Sequence, residues 1–205
     1  MSLNYLSFAP TNGNPPQGLL ILLHGWGSNP EDIAGVTPLL DLPDYQIICL
    51  EAPYPHYQAP GGRAWYALER DDYLGLDQSR QLLQNWLTSQ ENITGVPLEK
   101  TILTGFSQGG AMTLDVGLNL PLKGLCVLSG YLHSEPIVKH DSPPVLIIHG
   151  KQDLVVPITM AQRARDLLTQ LGVNIDYHEL NMGHEVVTEV LIKMQKFITQ
   201  SNDYS

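Results

Sequence analysis

TILTGFSQGG, residues 101–110, decides how this chain is read: a short β-branched and apolar run ends in Gly105, Ser107 and Gly109 and passes into a helix-like stretch. The pattern is that of a nucleophile elbow, a tight strand-to-helix turn that holds a serine hydroxyl proud of the backbone by forcing it into strained φ/ψ. At the tip of such a turn the neighbouring segments lie so close that a Cβ two residues to either side of the serine would collide. Glycine at 105 and 109 fits where larger residues do not. The same residues also read as a glycine-rich turn with an incidental serine, and the rest of the chain must supply the partners that separate the two.

Outward from the elbow, strand-like and helix-like periods alternate, which signals a largely parallel sheet with helices on its faces. Upstream, an edge strand is expected over residues 3–8. GLLILLHG (18–25) is continuously apolar, as a strand covered on both faces should be, and Pro30 opens a helix made short by Gly35 and Pro38. YQIICLEAP (45–53) is the next strand. Residues 53–75 have no sustained period and are dense in Pro, Gly and aromatics; a loop this long in a compact domain is usually functional. A helix spans 76–90, with Trp86 on its core face, and 100–105 is the strand that feeds the elbow. Downstream come a helix over 107–120, strands at 123–130 and 144–150, a helix over 156–172, a strand over 173–180 and an amphipathic helix over 183–198. No repeat, linker or charge block interrupts the series, so one domain over 1–205 is expected.

With a net charge of −10 and no Lys/Arg-rich run, the chain lacks the basic patch that nucleic acid or an anionic membrane surface requires. Its first residues lack a basic n-region and a long apolar h-region, and no stretch approaches the roughly 20 apolar residues that span a bilayer. A cytoplasmic protein without stable membrane insertion is the expectation. Cys49 and Cys126 fall in separate strand-like runs and are read as reduced and buried. No HExxH, CxxC or clustered His/carboxylate spacing calls for a metal, and no cofactor motif is present.

A serine nucleophile needs a base and an acid that orients the base, in the chain order Ser, Asp/Glu, His for this kind of fold. Asp153 follows the strand ending in His149, and His184 follows the last strand. Both lie at the carboxyl ends of parallel strands, so folding the sheet brings them to the edge that carries Ser107. The competing histidines are placed less well. His56 and His140 sit in polar loops, His133 in an irregular insertion and His178 inside a strand, while His149 precedes Asp153 and breaks the order. Among the acids, Asp115, Asp141, Asp166 and Asp176 fall within or before elements, and Glu51 is the spare candidate. Oxyanion donors are expected at the backbone amides of Gln108 and of Trp26 in the loop LHGWG, with His24 as a structural hydrogen-bonder.

LLHGWGSN, GFSQGGAM, HGKQDLVVP and NMGHE, in that order over residues 19–197, resemble the phospholipase/carboxylesterase family of α/β-hydrolases, which includes acyl-protein thioesterases. The resemblance implies an α/β-hydrolase fold and a serine hydrolase acting on carboxylic esters or thioesters. It places Ser107, Asp153 and His184 at triad positions, Trp26 and Gln108 at oxyanion positions, and RAWY (63–66) near the acyl site. Trp26, Trp65 and Tyr66 are thus the candidate substrate-binding residues. Tyr54, Tyr57, Trp65 and Tyr66 serve equally well as pins for a long loop, and such a loop can also carry a homodimer contact. Little sequence lies beyond the core elements, so no large lid and short to medium acyl chains are expected. Alternatives are a thioesterase or lysophospholipase for longer chains, a peptidase, a dienelactone-type hydrolase, against which Ser107 argues, and a non-catalytic binding module.

Overall fold

The computed structural model of the protein describes residues 3–70, 72–138 and 142–200. His140 and Asp141, weighed above, lie outside the described residues. The strands are β1 (Tyr5–Phe8), β2 (Gly18–Leu23), β3 (Tyr45–Leu50), β4 (Tyr54–Pro55), β5 (Arg63–Ala64), β6 (Thr101–Phe106), β7 (Gly124–Leu128), β8 (Val145–Gly150) and β9 (Ile175–Leu180). The helices are α1 (Pro30–Ala34), α2 (Leu76–Thr94), α3 (Gln108–Gly117), α4 (Ile158–Gln170) and α5 (Thr188–Gln200).

Seven strands form one sheet in the order β1-β3-β2-β6-β7-β8-β9, with β1 antiparallel to β3 and every other pair parallel. Because successive side chains of a strand point to opposite faces, the apolar runs fill two cores at once. Leu19, Ile21 and Leu23 join Leu103, Leu125, Ile147, α2, α3 and α4 on one face. Leu20 and Leu22 join Ile102, Leu146 and the α5 residues Val190, Leu191, Met194 and Ile198 on the other. Each fully buried Leu or Ile side chain contributes roughly 1.5–3 kcal/mol, so a one-residue register slip would be opposed on both faces.

The local punctuation behaves as its chemistry dictates. Asn29 caps α1 by accepting the Asp32 N–H at 2.8 Å, and α2 runs one turn past the expected boundary to stop at Gly95, whose φ is 74°. The helix expected from residue 183 starts only at Thr188, which leaves His184 in a loop. Residues 53–75, expected to be without regular structure, contain the antiparallel ribbon β4–β5. Trp86 is a core side chain, as expected, edge-on to Tyr5 at 5.7 Å.

Cys49 and Cys126 are both buried free thiols. They lie in one row across the sheet, Cys49, Leu22, Thr104, Cys126, so three strand spacings of about 4.8 Å separate them, beyond the reach of a disulfide. Burial pushes both thiols up to about 12. At pH 8 only about one in 10⁴ would be thiolate, and iodoacetamide is expected to leave both unmodified until the protein unfolds. Rapid native-state alkylation, read by mass spectrometry, would contradict the burial. No helix among the described residues is long and apolar enough to cross a membrane.

Candidate active site

The sheet reverses its direction of growth at β2. From there the chain builds outward to β3, and later returns to place β6 on the other side of β2. The loops leaving β2 and β6 therefore splay apart and leave a crevice at their carboxyl ends, where open α/β sheets hold their sites. Ser107 leaves β6 at this point. Its φ of 54° and ψ of −116° lie outside the regions open to L-residues without strain, and the turn is held by the Ser107 N–H on the Leu128 carbonyl at 2.8 Å.

The flanking glycines are required by their neighbours. A Cβ on Gly105 would fall on the Gly109 carbonyl, and one on Gly109 would run into the carbonyls of Leu23 and His24. These are backbone atoms that cannot swing aside. Gly109→Ala is expected to cost about 3 kcal/mol and to lower Tm by roughly 6–12 °C for a chain of this size. A melting curve unchanged within 2 °C would mean that the packing at the elbow is looser than described.

Three strand-to-helix loops converge on one relay. His184 Nε2 lies 2.9 Å from Ser107 Oγ, and His184 Nδ1 lies 2.7 Å from Asp153 Oδ2. A carboxylate only accepts, so the imidazole proton sits on Nδ1 and the Nε2 lone pair faces the serine hydroxyl. The other carboxylate oxygen accepts the amides of Val155 at 2.9 Å and Val156 at 2.8 Å. Burial alone would raise the Asp153 carboxyl, but the hydrogen bonds from His184 and from these two amides outweigh it and hold the group below its ordinary 3.8. Phe106 packs on the His184 ring at 4.8 Å. Among the described residues, the N–H groups of Trp26 and Gln108 have no hydrogen-bond acceptor.

The competing candidates make no contact with Ser107 among the described residues. Glu51 is engaged by Arg63 at 3.3 Å and Asn4 at 3.1 Å. His149 is wholly buried against the same carboxylate, its Nε2 3.4 Å from Asp153 Oδ2 and 2.8 Å from the Val156 carbonyl. His133 is buried against Asp115 at 2.8 Å, His178 pairs with Asp176, and His56 packs edge-on to Trp26 at 4.2 Å. No group of three or more His, Cys, Asp or Glu among the described residues could hold a metal ion.

Trp65, expected beside the substrate, is wholly buried in the core beneath the loop, as is its neighbour Tyr66. Its indole N–H donates to the His24 carbonyl at 3.0 Å. The Gln108 side chain grips the same segment, accepting the Trp65 N–H and donating to the Tyr66 carbonyl, both at 2.9 Å. Trp26 and Tyr66 form part of the wall of a cavity of about 800 Å³, shared with Tyr54, Tyr57, Tyr73 and Leu74. A smaller apolar recess of about 190 Å³ lies between Gly25, Phe106, Val186 and the core residues Leu22, Leu191 and Met194, and Ser107, Asp153 and His184 line neither cavity. Sequence reading missed the Gln108 clamp and the fork by which Arg63 holds the carbonyls of Ala52 and Pro53 at 2.9 Å. Neither carries a sequence signal: the Gln108 clamp spans 42 and 43 residues, and the Arg63 fork, spanning 10 and 11, depends on how one irregular loop doubles back.

A mostly parallel sheet with helices on both faces, a strained serine after the strand beside β2, and no large lid among the described residues define an α/β-hydrolase fold. The protein belongs to the phospholipase/carboxylesterase family, whose profile matches residues 8–202. It is 32% identical over 149 residues to acyl-protein thioesterase 1 of Gibberella zeae, an alignment covering 67% of this chain and 63% of that protein. Acyl-protein thioesterase 1 of Saccharomyces cerevisiae is 29% identical over 91% of this chain and 94% of its own length. Among solved structures, the crystal structure of esterase PE8 superposes with a TM-score of 0.90 at 30% identity, covering 98% of this chain and 99% of that one.

Proposed function

We propose that the protein is a serine carboxylesterase that cleaves esters of short to medium acyl chains through an acyl-enzyme, the chain acting as one domain. The observation that carries this reading is the continuous relay from Ser107 Oγ through His184 to Asp153, set beside two backbone amides without acceptors. In the first half-reaction Ser107 Oγ attacks the carbonyl carbon while its proton passes to His184 Nε2. The carbonyl oxygen, now negative, lies on the amides of Trp26 and Gln108. His184 then protonates the departing alcohol or thiol, and water repeats the sequence to release the acid. Asp153 stays ionised throughout, holding the imidazole tautomer and stabilising the imidazolium.

Trp26 and Tyr66 line the cleft in which the substrate would lie. The small apolar recess beside Gly25 and Phe106 supports a short chain, whereas a second reading, a thioesterase for longer acyl groups, is favoured by the volume of the aromatic cleft and by the names of the relatives. A fluorophosphonate probe is expected to label Ser107 in the folded protein; no labelling would overturn the esterase reading in favour of a non-catalytic binding module. A panel of p-nitrophenyl esters and matched thioesters from two to sixteen carbons then separates the two readings. A kcat/KM maximum at or below about eight carbons supports the first, and one at twelve or more supports the second.

A further inference from the structure

His24 is wholly buried and has no part in the proton relay, yet both its ring nitrogens are committed. The Ala52 N–H can only donate, and it points at His24 Nε2 from 3.1 Å. The ring proton must therefore sit on Nδ1, which donates to the Gly25 carbonyl at 2.8 Å. Burial holds the imidazole below its usual 6.5 and so keeps it neutral, with Arg63 acting in the same sense and the Gly25 hydrogen bond, Asp32 and Glu51 opposing.

The Gly25 carbonyl and the Trp26 N–H belong to one peptide unit. That unit is planar, and no cis peptide occurs among the described residues, so its C=O and N–H point in opposite directions. Drawing the carbonyl towards His24 thereby aims the Trp26 N–H the other way. The peptide units on either side are pinned as well. The His24 carbonyl is held by the Trp65 indole at 3.0 Å, and the Gly27 N–H donates to the Arg63 carbonyl at 2.8 Å. The outer two of these three consecutive peptide planes are thus fixed from outside the loop. The middle one is fixed by His24 and, more weakly, by the Ser28 N–H on the same Gly25 carbonyl at 3.3 Å, while the Trp26 N–H is left without a partner.

We propose that His24, as the Nδ1–H tautomer, is a positioning residue that preorganises the Trp26 amide for the oxyanion. The proposal rests on the serine-esterase reading. Its content is energetic: an oxyanion donor contributes only if it need not reorient as charge develops, and a peptide free to rotate would lose that advantage.

Two isosteric variants separate this role from simple packing. In His24→Asn the side-chain amide nitrogen overlies Nδ1, so the donor to Gly25 survives and the acceptor for Ala52 is lost. In His24→Gln the reverse holds. With p-nitrophenyl acetate, His24→Gln is expected to lose 10²–10³-fold in kcat with KM nearly unchanged, and His24→Asn less than about tenfold. A trifluoromethyl ketone gives a second readout. Ser107 Oγ bonds to its carbonyl carbon, the Oγ proton moves to His184, and the hemiketal oxyanion occupies the same hole; its inhibition constant should weaken by the same factors. Equal losses in the two variants, or no loss in His24→Gln, would overturn the role. If the Gln variant does not fold, the Asn variant decides alone, a loss above tenfold counting against the proposal. A wild type that neither hydrolyses the ester nor binds the ketone would overturn the esterase reading and this assignment with it.

Discussion

Ser107→Ala is expected to lower kcat for a p-nitrophenyl ester by about 10⁶-fold while the melting temperature moves by no more than about 2 °C. The two halves of this expectation have separate causes. In the proposed mechanism the hydroxyl forms the acyl bond, and without it only water positioned by the amides and the cleft remains. The fold loses little, because the Ser107 side chain makes a single hydrogen bond, to His184 at 2.9 Å. The strain at its φ of 54° is the same for alanine, since serine already carries a Cβ. Turnover retained within tenfold, measured on protein free of host esterase, would remove Ser107 from the chemistry.

Asp153→Asn is expected to reduce kcat by up to about 10⁴-fold. An asparagine amide facing His184 donates where the carboxylate accepted, so the imidazole proton moves to Nε2 and points at the serine that it should deprotonate. A near-wild-type rate would show that another group orients the histidine. The same substitution carries a pH signature. The Asp153 carboxyl is held below its ordinary 3.8 in the folded protein, so its contribution to stability is fully present above the unfolded-state value of about 3.9 and is lost as pH falls through the lower folded value. The Tm gap between wild type and Asp153→Asn should be constant from pH 7 to about pH 5 and should narrow below pH 4. A gap that widens in acid would contradict the sign of the shift.

Much of this architecture was legible residue by residue. The two-fold apolar runs at 18–25 and 144–150 announced strands buried on both faces, and those strands do feed two cores. The elbow was legible because its requirement is local: only glycine lacks the Cβ that would meet the backbone at 105 and 109. The three positions of the relay followed from a topological rule, that loops leaving parallel strands share one edge. Less legible was the start of the last helix. The spacing of Val187, Val190 and Leu191 continues the apolar face, but it does not record that residues 183–187 are drawn into a loop, with His184 between Ser107 and Asp153.

What the sequence by itself determined here is the set of features that depend on neighbours in the chain: the alternation of elements, the strained serine, the order Ser107, Asp153, His184 and the amide that follows Ser107. Tertiary structure alone decided which side chains serve as scaffold. Trp65 and Tyr66 are adjacent and both wholly buried, yet the Trp65 indole holds the His24 carbonyl, whereas Tyr66 backs the cavity wall and meets the Tyr131 hydroxyl at 2.6 Å. His24 and Gln108 acquire their roles from partners that the loops bring to them across separations of 28 and 43 residues. Hydrogen bonds of that kind depend on the path of two loops through space, and no periodicity or composition in either loop encodes where the other will pass.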